Sequence, residues 1–209
     1  MGVDGQNISN MPEQLSNWLS GHWVEIFAAL ISIVYVILSV RQIRWLWLFG
    51  FLSALLYSWI YFDAGFYAGM GLQGYYMFIS VYGWILWSRG QGSDNPETTL
   101  KVTRVTWRTA LILLSAWGVL LLAIALILKY LTDSTIPFWD ALTTSGGIIA
   151  TWMLARKILE NWVIWIFIDS VSIMLYLWKG LYPTTLLFTV YVVMAVIGYR
   201  EWKKSMTER

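Results

Sequence analysis

Cysteine is absent from the 209 residues of this chain, and histidine occurs once. Without cysteine, the chain can form neither a disulfide framework nor a thiolate metal site. The sequence also contains no P-loop and no HExxH motif, so it offers no recognisable site for nucleotide hydrolysis or for a catalytic zinc ion. We therefore predict that the protein is not an enzyme and that it uses no metal or other cofactor.

Charged residues are also scarce, because Asp, Glu, Lys and Arg make up only 12% of the chain. Soluble domains carry about 25% charged residues. Hydrophobic residues account for 58% of the chain, and the mean hydropathy is +0.61. This composition indicates a protein whose main solvent is the lipid bilayer, and we predict no nucleic-acid partner.

Seven apolar stretches follow one another, at residues 23–40, 45–62, 66–88, 109–131, 138–155, 162–178 and 181–199. A helix of about 20 residues crosses a hydrocarbon core about 30 Å thick, whereas an open sheet would leave its backbone unpaired there. The predicted fold class is therefore an all-α membrane protein with seven transmembrane helices. The other segments are an extracytoplasmic N-terminus (1–22), a cytoplasmic connection (89–108) and a basic cytoplasmic tail (200–209).

Basic residues are distributed unevenly between the two sides of these spans. If the N-terminus lies outside, the inner loops and tail hold Arg41, Arg44, Arg89, Lys101, Arg104, Arg108, Arg156, Lys157, Arg200, Lys203, Lys204 and Arg209. Only Lys129 and Lys179 are then left outside. Because Lys and Arg near span ends are retained in the cytoplasm, we predict an outer N-terminus and a cytoplasmic C-terminus.

The second half of the chain repeats the first. Residues 41–87 move forward by 115 positions without a gap, which pairs Trp47 with Trp162 and Tyr76 with Tyr191. With seven spans the repeat is parallel: residues 23–88 and 138–199 form two three-helix units, and residues 109–131 form an inverting linker helix. A membrane protein built from two similar halves places a substrate site where they meet. Transport is therefore the predicted function.

Polar groups inside the spans are the candidates for that site, since an ionisable side chain at membrane depth is costly. Asp169 lies near the middle of the sixth span, on nearly the same helix face as Trp162 and Trp165. Gln73 in the third span can both donate and accept hydrogen bonds. We predict a midplane cavity in which Asp169 meets a cation or an amino group and Gln73 fixes a polar edge. Trp162, Trp165 and Trp47 would stack a flat ring there.

Alternatives to these assignments stay open at this point. A buried carboxylate or amide also joins neighbouring helices by hydrogen bonds, and most tryptophans are expected at the two membrane interfaces. Glu25 and Asp140 are repeat mates near the outer ends of their spans, and they form either an acidic outer mouth or ordinary solvated surface. A sugar carrier of the SWEET type and a scaffold without transport activity are the rival function classes.

Four segments of the sequence carry a further resemblance: PFWD at 137–140, ARKILENWVIWIFIDSVSIMLYLWKGLY at 155–182, LQGYY at 72–76 and YGWILW at 82–87. With these segments the chain resembles the Pnu family of vitamin transporters. The resemblance implies three-plus-one-plus-three helices similar to a SWEET protein, a homotrimer, and a location in the bacterial cytoplasmic membrane. It also implies facilitated diffusion of an unphosphorylated vitamin precursor, which a cytoplasmic kinase then traps by phosphorylation.

The resemblance also bears on the substrate, because the position matched by Asp169 is commonly Asn in members that carry nicotinamide riboside. Asn complements a carboxamide as both donor and acceptor, whereas an ionised Asp only accepts. Asp would instead balance a cationic pyridinium, or accept hydrogen bonds from the aminopyrimidine of thiamine, whose thiazolium is also positive. Nicotinamide riboside is the expected substrate because it is the more frequent one in the family, with thiamine as a nearly equal alternative.

Overall fold

A computed structural model of the protein describes residues 30–63, 67–89, 100–132 and 134–207. These residues form seven helices: α1 (Leu30–Val40), α2 (Leu46–Asp63), α3 (Tyr67–Ser88), α4 (Trp107–Leu131), α5 (Pro137–Ala155), α6 (Asn161–Trp178) and α7 (Tyr182–Thr207). Within these ranges, extended pairing is limited to one isolated bridge, between Thr103 and Ile158. The predicted all-α class with seven helices is confirmed. The segment 1–22 and Glu25 lie outside the described residues.

The last helix extends further than the sequence predicted. The seventh apolar stretch ends at residue 199, but α7 continues to Thr207 and includes most of the segment taken as a separate tail. Trp202 explains the continuation, because its side chain is fully buried and its Nε1 donates to the Ser39 carbonyl at 3.1 Å. The packing of this residue extends the helix beyond the apolar stretch.

Among the described residues, α4, α6 and α7 are long and apolar enough to cross a membrane by length and composition. Helix α1 and the segment Leu46–Trp59 of α2 are apolar but shorter. Helices α3 and α5 contain several glycines and hydroxyl groups, and α3 also contains the amide of Gln73, which together lower their hydropathy. These two helices contact each other, and small residues at such contacts let helix backbones approach closely.

The turn between α1 and α2 has the same conformation as the turn between α5 and α6. Gln42 in the first turn has a φ of 55°, and Lys157 in the second has a φ of 51°. In both turns, the amide of the following residue donates to the carbonyl five positions earlier, at 2.9 Å. Positive φ is uncommon outside glycine, and here it recurs at the 115-residue offset of the sequence repeat.

A tryptophan is pressed against a glycine at matching places in the two halves. A Cβ added to Gly83 would overlap the indole ring of Trp47, and one added to Gly198 would lie 2.7 Å from the indole ring of Trp162. Helix α2 packs against α3, and α6 packs against α7. The two glycines therefore set how closely each helix pair can approach.

The two halves are joined by reciprocal hydrogen bonds from buried tryptophans. Trp87 of α3 donates to the Ala155 carbonyl at the end of α5, at 3.0 Å, and Trp202 of α7 donates to the Ser39 carbonyl of α1, at 3.1 Å. The two indole rings lie 6.2 Å apart between centroids. Bonds to buried carbonyls are costly to leave unmade, so these contacts tie the halves together at the end of the bundle that carries the two matched turns.

Helix α4 lies at the periphery of the bundle. None of its residues is buried, and it packs against α5. Its main anchor is Trp117, whose Nε1 donates to Ser145 Oγ at 3.0 Å and whose ring lies against Gly146. The interior between the other helices is thus left free of α4 side chains.

Candidate functional site

A cavity of about 370 Å³ lies between six of the seven helices. Side chains from α1, α2, α3, α5, α6 and α7 line it, and among the described lining residues none comes from α4. Its volume falls within the range of about 300–1,000 Å³ that is usual for small-molecule sites. Both halves of the chain therefore contribute to one cavity of ligand size.

Four of the five residues predicted to contact the substrate line this cavity: Asp169, Gln73, Trp162 and Trp165. Helix geometry explains the cluster on α6, because residues three, four and seven positions apart share a face. Gln73 reaches the same space from α3, and its side chain is buried. The structure therefore brings the predicted acid, amide and two aromatic rings together.

Trp47 does not line the cavity, and its predicted placement there is corrected. Its side chain is 1% exposed, with the indole flat against Gly83 and edge-on to the ring of Trp87, 5.6 Å away between centroids. The missing Cβ at Gly83 leaves a recess that the indole fills. Trp47 is therefore a core residue of the α2–α3 pair.

The two tryptophans of α6 differ in how they meet the cavity. Trp162 is 3% exposed, and its indole is held between Gly198 and the edge of Trp202. Trp165 is only partly buried, and its ring lies near Gly147 of α5. Trp162 is therefore a tightly packed part of the cavity wall, whereas the ring of Trp165 is more accessible to a ligand.

Asp169 is the only charged side chain among the described residues that line the cavity. It is 6% exposed, and the phenol of Tyr191 on α7 lies close enough for an electrostatic interaction with its carboxylate. A buried carboxylate loses hydration that it regains only from a partner of opposite charge or from good hydrogen bonds. Among the described lining residues, no Lys, Arg or His supplies such a partner.

The phenols that line the cavity were not predicted from the sequence. Tyr35, Tyr57, Tyr76 and Tyr191 all line the cavity, and Tyr191 forms a hydrogen bond with Ser32 of α1. Tyrosine is also the usual residue of membrane interfaces, so its type alone does not reveal its depth. The available signal was the repeat, because Tyr76 and Tyr191 are mates at the 115-residue offset.

Several lining residues form pairs separated by 115 positions, among them Gly50 and Trp165, Ala54 and Asp169, and Tyr76 and Tyr191. The cavity wall is thus built from matching positions in the two halves. The chemistry of the pairs is not matched, because Trp165 and Asp169 have a glycine and an alanine as their mates. In these two pairs, the second half supplies the carboxylate and the accessible indole, whereas the first half supplies small residues.

Asp140 lies away from the cavity, in the first turn of α5. Its carboxylate accepts a hydrogen bond from Ser134 Oγ at 2.6 Å. An acidic residue in the first turn of a helix is stabilised by the helix dipole, which gives Asp140 a local structural role. An acidic mouth formed by Glu25 and Asp140 stays a prediction.

Comparison with known proteins gives a family match along almost the whole chain. Residues 22–204 match the family described as nicotinamide mononucleotide transporter. The chain is similar to the nicotinamide riboside transporter PnuC of Escherichia coli (strain K12), at 25% identity over 90% of this chain and 87% of the relative. It is also similar to the riboflavin/roseoflavin transporter RibM of Streptomyces davaonensis, at 27% identity over 89% of this chain and 92% of the relative.

A solved structure shares the fold. The crystal structure of the vitamin B3 transporter PnuC matches with a TM-score of 0.70, over 95% of this chain and 88% of that chain, at 22% identity. The helical bundle described above is therefore one that has been observed experimentally.

Proposed function

Because this chain belongs to the nicotinamide mononucleotide transporter family, we propose that it carries an unphosphorylated, cationic vitamin precursor across the bacterial cytoplasmic membrane. One observation carries the choice of a cation: Asp169 is the only charged residue among the described residues lining the cavity. A positively charged ligand offsets the desolvation of this carboxylate by direct attraction in a low-dielectric site. Nicotinamide riboside, whose pyridinium ring is positive, is the favoured substrate.

The same charge argues against a phosphorylated substrate. A phosphate monoester brings about −1.5 to −2 charges at pH 7. Inside the cavity it would face the Asp169 carboxylate, and no Lys, Arg or His is found among the described lining residues. The riboside is therefore favoured over the mononucleotide that gives the family its description.

The uncharged parts of the wall suit the rest of the molecule. Trp165 and Tyr76 offer aromatic faces, and a cation held over such a face gains further from the ring quadrupole. Gln73 is buried on the same wall, and its amide matches a carboxamide as both donor and acceptor. The ring, the positive charge and the amide group of nicotinamide riboside therefore each have a complementary group in the cavity.

Thiamine remains the alternative substrate. Its thiazolium also balances Asp169, and its exocyclic amino group donates a hydrogen bond, which a carboxylate accepts better than an amide does. Riboflavin and glucose are neutral, so neither supplies the counter-charge. The relative named as a riboflavin transporter nevertheless makes riboflavin a necessary comparison.

A ligand panel on the purified protein tests the substrate. We expect nicotinamide riboside to raise the thermal midpoint, since a ligand at 100 times its Kd stabilises by about 2.7 kcal/mol, and thiamine to be the next best. Nicotinamide mononucleotide, riboflavin and glucose should leave the midpoint unchanged. Stabilisation by the mononucleotide equal to that by the riboside, or by riboflavin or glucose alone, would contradict the role of Asp169 in selecting a cation. No response to any compound would favour a scaffold.

We also propose that transport proceeds by alternating access, with the units 23–88 and 138–199 rocking about the cavity as a parallel, SWEET-like repeat. The matched turns, the two tryptophan–glycine contacts and the paired lining positions support this arrangement. The turn residues Lys157 and Gln42 also contact each other, with Lys157 Nζ donating to Gln42 Oε1 at 3.1 Å. With the N-terminus outside, this contact and the crossed tryptophan bonds lie at the cytoplasmic end and must separate to release substrate inward.

Facilitated diffusion is the proposed mode of transport. Phosphorylation by a cytoplasmic kinase converts the substrate into the form that the cavity disfavours, which makes uptake directional without ion coupling. The homotrimer and the coupling to a kinase stay predictions made from the sequence.

A further inference from the structure

A second cavity, of about 790 Å³, lies beside the turn between α5 and α6. Four basic side chains line it: Arg89 at the end of α3, Lys101 and Arg104 in the segment before α4, and Arg156 after α5. All four are exposed, and no acidic residue is found among the described residues of the lining. The cavity therefore carries a concentrated positive charge that the transport proposal does not use.

The backbone carrying two of these cations is fixed in place. Thr103 donates its amide to the Lys157 carbonyl at 3.0 Å, and its carbonyl accepts from the Leu159 amide at 2.9 Å. Next to it, the Glu160 carboxylate accepts the Val105 amide at 2.8 Å. The extended segment 100–106 is thus hydrogen-bonded to the turn between α5 and α6. The neighbouring carboxylate of Glu160 accepts one of these bonds from a backbone amide.

Arg156 is also held in position, and neither of its two contacts is with an acidic side chain. Its Nη1 donates to the hydroxyl of Tyr82 at 3.0 Å, and its guanidinium lies 5.3 Å from the centroid of the Trp152 ring. Both partners are neutral and both line the cavity. A guanidinium held in this way keeps donors free for an anion, and its planar fork suits phosphate oxygens.

The remainder of the wall is largely apolar, with Ile85, Leu86, Val105 and Ile158 among its residues. Ile85 is 48% exposed, as expected of a side chain in contact with lipid. A soluble anion gains nothing from such a surface, whereas a phospholipid presents a phosphate and acyl chains together. Basic pockets between helices on the cytoplasmic side recognise anionic headgroups in this manner.

We propose that this cavity binds the phosphate group of an anionic phospholipid in the cytoplasmic leaflet. The choice of leaflet depends on the proposed orientation, but the binding chemistry does not depend on the transported substrate. The sequence repeat does not duplicate this cavity, because the segment 100–106 that lines it lies in the connection between the halves and occurs once. Arg41, the repeat mate of Arg156, is not part of its lining.

Lipid binding to the purified full-length protein tests the inference. Native mass spectrometry in mixed micelles should show dioleoyl-phosphatidylglycerol bound more tightly than dioleoyl-phosphatidylcholine. The double variant Arg104→Gln/Arg156→Gln should bind phosphatidylglycerol about thirtyfold more weakly, given the usual contribution of each interfacial basic residue. The matched variant Arg41→Gln/Lys203→Gln has the same net charge and changes two exposed residues outside the cavity, so it should retain binding.

Inorganic phosphate serves as the competing probe that identifies the source of the anion. Retention of phosphatidylglycerol in millimolar phosphate supports a lipid site, and displacement assigns the cavity to soluble phosphate compounds, which overturns the lipid assignment. Equal binding of the two lipids, or equal losses in the two double variants, also overturns the proposal. The thermal midpoint and the ligand response of each variant report folding and substrate binding, so failure here is distinct from failure of the proposed function.

Discussion

Asp169→Ala is expected to weaken binding of the cationic substrate by at least about a hundredfold while leaving the protein folded. Removing one partner of a buried, fully desolvated ion pair costs about 3–5 kcal/mol, and each 1.4 kcal/mol is a factor of ten in affinity. The unliganded protein should keep its stability, because the described cavity wall contains no cation that the substitution would leave unpaired. Thermal-shift titration and calorimetry measure both quantities.

Asp140→Asn is the matched control for this experiment. It removes one carboxylate from the neighbouring helix, at a residue that does not line the cavity and contacts Ser134. Substrate affinity should therefore stay unchanged. An equal loss in the two variants would show that overall charge, rather than a contact in the cavity, governs binding. Unchanged affinity in Asp169→Ala would remove Asp169 from the site.

The paired construction of the cavity allows a rescue experiment. Ala54 is the repeat mate of Asp169 and lines the same cavity. Adding Ala54→Asp to the Asp169→Ala variant moves the carboxylate to the first half, and we expect about tenfold recovery of affinity for the cationic substrate. Ala54→Asn in the same background keeps the volume without the charge and should give none. Equal recovery by both would show that space or hydrogen bonding is responsible.

The sequence could predict those parts of the site that follow from helix geometry and from the rarity of polar groups in lipid. The spacing of Trp162, Trp165 and Asp169 places all three on one face of a single helix. Gln73 could be found because an amide inside an apolar stretch needs a partner. Neither inference requires knowledge of how the helices pack.

Trp47 shows where this approach fails. Trp47 and its repeat mate Trp162 have similar local environments, since both indoles lie against a glycine of the following helix. The repeat does not indicate which ring borders the cavity, because that depends on the unlike residues around each of them. Tyr35 and Tyr57 were not predicted for a related reason. Tyrosine occurs both at membrane interfaces and in polar cavities, and only the packing of the helices decides which of the two environments a given tyrosine has.

Gly83→Ala is expected to lower the thermal midpoint by about 5 °C or more. The added Cβ would overlap the indole of Trp47, which is fully buried in the core. Overlap with the body of a buried ring puts this case at the upper end of overpacking costs, about 3 kcal/mol, which exceeds the gain of about 1 kcal/mol from replacing glycine inside a helix. Thermal unfolding of the purified protein, followed by tryptophan fluorescence, measures the change.

Gly74→Ala provides the control on the same helix, α3. A Cβ added to Gly74 has no neighbour within 4 Å among the described residues, so only the helix propensity changes. Its thermal midpoint should stay constant or rise slightly. A similar loss of stability in both variants would mean that α3 rejects alanine for a reason unrelated to Trp47.

Gly198→Ala tests whether the two tryptophan–glycine contacts have different roles. The contact at Gly198 involves Trp162, which lines the cavity, whereas the contact at Gly83 involves Trp47, which does not. Both substitutions should therefore cost stability, but only Gly198→Ala should also weaken substrate binding, because displacing Trp162 deforms the wall next to Asp169. Equal affinity losses in folded Gly83→Ala and Gly198→Ala protein would contradict the assignment of Trp47 to the core and of Trp162 to the site.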